Sequence, residues 1–103
     1  MPYKLRFVQR FRLGNAKKFM EIEKQFAQCE IDYPEFPKGK RYVPHSGIHP
    51  SNTLIWECDF DTMEELQKVQ AFLKNDDRHE DLFQKQCEYI VDTYTEIYRP
   101  YDS

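Results

Sequence analysis

The sequence predicts one α+β domain in which a four-stranded antiparallel sheet carries its helices on a single face. Three observations predict it. Residues 3–12 alternate with period two, residues 52–61 do the same, and the segments that follow each of them repeat apolar residues at steps of three and four. At 103 residues the chain, 1–103, fits one domain and leaves no room for a second core.

In the first strand Tyr3, Leu5, Phe7 and Phe11 fall on one side, and Lys4, Arg6, Val8, Arg10 and Arg12 on the other. Gly14 and Asn15 supply a turn and an N-cap for a helix over residues 16–31, whose stripe is Phe19, Ile22, Phe26 and Cys29. Pro34 and Pro37 end it, because the residue before a proline is pushed out of the helical region. Residues 35–51 carry three prolines and two glycines and read as loop, with room for a short second strand over 40–45.

The third strand is the clearest. Leu54, Trp56, Cys58 and Phe60 point one way, and Thr53, Ile55, Glu57 and Asp59 the other. Asp61 or Thr62 then caps a helix with a glutamate three residues on, and Met63, Leu66, Val69 and Leu73 form its buried stripe. Asn75 and Asp76 break that helix. Asp77 and Glu80 repeat the cap signal for a short extra helix bearing Leu82, Phe83, Cys87 and Ile90, and a last strand runs over 91–99. The order β-α-β-β-α-β is that of the ferredoxin-like fold. Right-handed crossovers place strands 1 and 3 in the centre, giving the order 4-1-3-2.

Composition narrows the function. A net charge of −3 offers no broad attraction to phosphate backbones or anionic lipid, so neither nucleic acid nor membrane is an expected partner. RNA-recognition domains share this strand order but stack bases on aromatics of strands 1 and 3, where this chain has Glu57 and Asp59. Lys38, Lys40 and Arg41 form a basic cluster among acids and read as a solvated loop. The absence of a long apolar stretch, and a start without a signal-peptide core, lead to the expectation of a cytoplasmic protein. Cys29, Cys58 and Cys87 recur every 29 residues, but in helical, extended and helical surroundings, so the spacing is no repeat and the thiols are expected to be reduced.

The helix-free sheet face brings Arg6, Val8 and Arg10 beside Ile55, Glu57 and Asp59, with Tyr94, Glu96 and Tyr98 assigned to the fourth strand. A face mixing charges with rings suits either solvent or a second subunit, and buried charge there requires pairing. Glu57, on a central strand near cations, is the foremost carboxylate, although a structural ion pair explains it as well. His45 and His49 are four apart, but Pro44, Gly47 and Pro50 deny them a helix, so no metal site is expected. His79, beside a cap, reads as an exposed first-turn residue.

The stretch T-L-I-W-E-C-D-F-D-T-M-E-E-L at residues 53–66, K-N-D-D at 74–77 and T-E-I-Y-R at 95–99 resemble the dimeric α+β barrel superfamily, and within it NIPSNAP-like and stress-responsive barrel proteins. The resemblance implies a homodimer in which two sheets pack helix-free faces together around small cavities that many relatives use for a small molecule. Relatives that act as cofactor-free monooxygenases or degrade haem rely on an asparagine, a tryptophan and sometimes a histidine. Here the first strand has Arg6, Gln9 and Arg10 but no asparagine, and Trp56 falls on the core face, so the resemblance does not carry that chemistry over.

The expectation is therefore a homodimer binding a small organic molecule between its sheets, as a binder or a cofactor-free proton-transfer enzyme, with no cofactor. Arg6, Arg10, Tyr42, His45, Glu57 and Tyr98 are the candidate ligand-binding residues. The competing expectation is an interaction module without a ligand, its cavity filled by its own side chains.

Overall fold

A computed structural model describes residues 2–101. The chain runs β1 (Tyr3–Phe11), α1 (Ala16–Asp32), β2 (Lys40–Tyr42), β3 (Thr53–Phe60), α2 (Met63–Asn75), α3 (Asp77–Cys87) and β4 (Ile90–Tyr98). The sheet order is β2-β3-β1-β4 with every neighbouring pair antiparallel, which is the expected order read from the opposite edge. No helix among the described residues is long and apolar enough to cross a membrane.

Register fixes the two faces. Leu5 sits opposite Cys58 and Phe7 opposite Trp56, so the oily sides of β1 and β3 meet under the helices. Two apolar clusters result. Leu5, Trp56 and Leu66 form one, and Phe11, Phe19 and Leu54 the other, where the Phe11 and Phe19 rings stack at 4.7 Å. Burying each such side chain contributes about 1.5–3 kcal/mol. On the opposite face Arg6 stands between Glu57 and Glu96, and Val8 between Ile55 and Tyr94.

Local signals were resolved in ways that residue patterns left open. Thr62, not Asp61, caps α2 by accepting from the Glu65 N–H at 3.1 Å. Asp76, not Asp77, caps α3, because its carboxylate accepts from both the Arg78 and His79 N–H groups at 3.0 and 3.2 Å. The Arg78 guanidinium also holds that carboxyl below its usual pKa. Asn15 makes no side-chain cap to α1, since residues Leu13–Asn15 form a 3-10 turn that leads straight into the helix. The second strand is shorter than residues 40–45, and Pro44 lies outside it. Ile90 opens β4 and does not belong to the preceding helix. A bulge between its pairing with Phe11 and the Asp92–Arg10 pair turns Ile90 toward the helix side, where it packs on Phe11.

Candidate functional site

The acids of α1 were missed by pattern. The stripe expected on this helix was Phe19, Ile22, Phe26 and Cys29, but the buried residues are Phe19, Glu23, Phe26 and Glu30, at steps of four, three and four. Both glutamates therefore point inward beside phenylalanines. Arg41 answers them from β2: its Nε donates to Glu23 Oε2 at 2.6 Å, and its Nη2 and Nη1 donate to Glu30 at 2.6 and 3.2 Å. Burial opposes the Arg41 charge, yet the hydrogen bonds to the two carboxylates outweigh it and raise its pKa above the ordinary guanidinium value. The expectation of a solvated basic loop is thus corrected for Arg41. Lys38 donates to the Glu30 carbonyl at 2.8 Å, and Gly39 N–H donates to Glu30 Oε1 at 3.0 Å.

Two more groups complete this network. Trp56 Nε1 donates to Glu30 Oε2 at 3.2 Å, and Gln86 Nε2 donates to Glu23 Oε1 at 2.9 Å and more weakly to the Phe19 carbonyl at 3.4 Å. Gln86 is fully buried on α3, three residues after Phe83 on the same helix face. Its Oε1 has no partner among the described residues.

These side chains bound a cavity of about 260 Å³ between α1, α3 and the sheet. Phe7, Trp56, Phe26, Phe36 and Phe83 supply apolar walls, and Thr93 and Thr95, exposed on the helix side of β4, form a rim. The volume lies just below the span of about 300–1,000 Å³ usual for ligand pockets, which suits a small molecule. A second hollow of about 370 Å³ between α1 and β2 shares Glu23 and Arg41 but is more open and lacks the converging rings.

His79 also lines the first cavity. It is half-buried, not an exposed first-turn residue, and lies between the Phe26 ring at 5.1 Å and the Phe83 ring at 6.3 Å. Burial pushes its pKa below the ordinary value of about 6.5, against the raising effect of Glu80, Asp76 and Glu23. Its Nδ1 has no partner among the described residues. With the folded pKa lowered, the unfolded chain binds the proton first as pH falls below about 6.5, so stability declines across the window from there to the folded value. Thermal unfolding between pH 7.5 and 5.5 is expected to show this decline, and His79→Phe to flatten it; an unchanged slope in the variant contradicts the assignment.

The six residues nominated from sequence lie on the other side of the sheet or in loops. Arg6, Glu57 and Tyr98 do come together: Arg6 pairs with Glu57 at 2.5 Å, donates to Tyr98 Oη at 3.3 Å, and lies 4.8 Å from the centre of its ring. Lys4 adds ion pairs to Glu57 and Asp59 at 3.4 and 3.1 Å. Arg10 is drawn away by Asp92, at 2.8 Å, whose carboxyl pKa it lowers. Tyr42 is exposed on the β2 edge and His45 exposed in the loop that follows, whereas it is His49 that reaches the sheet, 3.2 Å from Tyr94 Oη. Cys58 is half-buried on the helix side, and burial raises its thiol pKa, which makes it a poor nucleophile.

A ferredoxin-like α+β fold is the class that this sheet order and helix placement define. Solved structures sharing it include a NIPSNAP family protein from Agrobacterium tumefaciens, with a TM-score of 0.78 and 16% identity over 99% of this chain and 95% of that one. An uncharacterised NIPSNAP domain protein from Burkholderia xenovorans gives 0.77 and 14% over 99% and 96%. A putative antibiotic biosynthesis monooxygenase from Nitrosomonas europaea gives 0.71 and 9% over 98% and 91%. At these identities the shared feature is the fold. The sequence matches no protein-family model and no curated protein.

Proposed function

We propose that this chain works as a homodimer, paired through its helix-free sheet face, and holds one small and largely apolar organic molecule in the cavity under α1 and α3 of each subunit. The observation that carries the ligand reading is the open volume of about 260 Å³ walled by the rings of Phe7, Phe26, Phe36, Trp56 and Phe83. The same observation favours a binder over a module whose interior is filled by its own side chains.

The homodimer reading is supported by the helix-free face itself. Arg6, Glu57 and Glu96 form a part-buried ionic patch, and Tyr94 and Tyr98 flank it half-exposed. A second copy laid on this patch would cover the half-exposed rings and take the paired charges out of water. The nominated residues Arg6, Glu57 and Tyr98 are then interface residues, with Arg10 at the margin.

Thermal shift of the parent protein across a panel of small aromatic and aliphatic metabolites, repeated with Thr95→Trp, tests the cavity. Saturation at about 100 times Kd stabilises by about 2.7 kcal/mol. Thr95 is exposed on a strand that accepts aromatics, so the variant blocks the rim at little structural cost. Stabilisation of the parent and its loss in the variant is expected. A panel that leaves the parent unmoved, or shifts that survive the blocked rim, contradicts the reading.

A further inference from the structure

The floor of the cavity changes chemistry from one strand to the next. In register across the sheet, Trp56 of β3 faces Phe7 of β1, which faces Thr95 of β4. In the adjoining row on the same side, Leu54 faces Gln9, which faces Thr93. Neighbouring strands lie about 4.8 Å apart, so rings floor the β3 side, and an amide with two hydroxyls floors the β4 side, within the length of one small molecule.

Gln9, Thr93 and Thr95 differ from the charged groups of the wall in being uncommitted. Glu23 Oε1 is taken by Gln86 and its Oε2 by Arg41. Glu30 Oε1 is taken by Gly39 and Arg41, and its Oε2 by Trp56 and Arg41. Burial keeps His79 neutral near pH 7.5. By contrast Gln9 is half-buried, Thr93 and Thr95 are exposed, and none of the three makes a side-chain hydrogen bond among the described residues. The acids and the guanidinium of the wall are thus closed on one another, and the hydrogen-bonding groups left for a ligand are neutral.

Resting on the cavity reading above, we propose that the bound molecule is uncharged, with an apolar ring or branched body against Phe7 and Trp56 and a neutral head, a carboxamide being the closest complement, held by Gln9, Thr93 and Thr95. The Gln9 amide can offer its N–H to the ligand carbonyl and its own carbonyl to the ligand N–H, and each threonine hydroxyl donates or accepts. A carboxylate or an ammonium enters this half-buried corner without a counterion and loses hydration that nothing there replaces. A hydrocarbon covers the Gln9 amide without giving it a partner.

Titration calorimetry at pH 7.5 with phenylacetamide, phenylacetate and 2-phenylethylamine, which share a ring and nearly the same length, separates the heads. The amide is expected to bind at least about tenfold more tightly than either ion. Gln9→Leu should weaken phenylacetamide about fivefold or more and leave propylbenzene, which has no head, within about twofold. The ligand series on the parent protein decides even where the variant folds poorly. Either ion binding as tightly as the amide, or Gln9→Leu leaving amide affinity unchanged or lowering it no more than that of the hydrocarbon, overturns the neutral-head assignment. Where Thr95→Trp still excludes these compounds, the cavity reading stands. Absence of phenylacetamide binding overturns the head assignment alone, and absence of any hit in the wider metabolite panel overturns both.

Discussion

Replacing Arg41 with methionine is expected to destabilise the protein by about 3–5 kcal/mol, the cost typical of leaving buried charge without its partner. The substitution keeps an unbranched apolar stem but removes every guanidinium contact to Glu23 and Glu30, whose side chains are 8% and 11% exposed. The two acids then face each other's charge across a low-dielectric cleft. At about 4–8 °C per kcal/mol for a domain of this size, Tm should fall by about 12 °C or more in a calorimetric scan. Adding Glu30→Gln should recover part of the loss, because the pair and not the arginine alone is responsible. A shift of only a degree or two would mean that the cluster is solvated and that α1 does not seal the cavity.

The second large effect is expected at Gly39. A Cβ built at this position would overlap the indole ring of Trp56, so Gly39→Ala must move the ring or the β2 backbone. Either movement breaks the Trp56 bond to Glu30 and the Phe7–Trp56 stack at 5.0 Å. Overpacking of this kind costs about 1–3 kcal/mol, and the lost hydrogen bond to a charged acceptor adds about 1.5 kcal/mol or more. The chain has one tryptophan, so the outcome is directly visible: emission should shift to longer wavelength as the ring leaves its buried slot. Unchanged emission and unchanged stability would show that the glycine is not needed for the close approach.

Much of the fold was legible because it depends on alternation and caps. The parity of β3 correctly set Leu54, Trp56, Cys58 and Phe60 against the helices, and the T-M-E-E and N-D-D runs marked both helix starts to within a residue. The cavity was illegible for a physical reason. Its polar residues occupy positions on apolar faces, Glu23 four after Phe19, Glu30 four after Phe26, Gln86 three after Phe83, and an amphipathic reading assigns polar residues to solvent. That spacing was nevertheless a signal, since an acid in register with an apolar stripe must find a cation, and Arg41 was available on the next strand. His79 was misjudged in the same way, because Phe26, distant in sequence, and Phe83, one helical turn on, close over it. On the helix-free face the strand order allowed Arg6 or Arg10 to pair with Glu57 or Glu96, and the register selects Arg6, while Arg10 goes to Asp92.

Two faces of one sheet thus have separate tasks in this account. The helix side holds a small molecule next to Trp56, and the opposite side meets another copy of the chain. The most direct measurement is a crystal structure of the protein grown with the compound that raises its Tm most in the metabolite panel. The account predicts density bounded by Trp56, Phe83 and Gln86 under α1 and α3. Density between the Arg6 and Glu57 faces of two subunits, with the helix-side cavity filled by solvent alone, would contradict it.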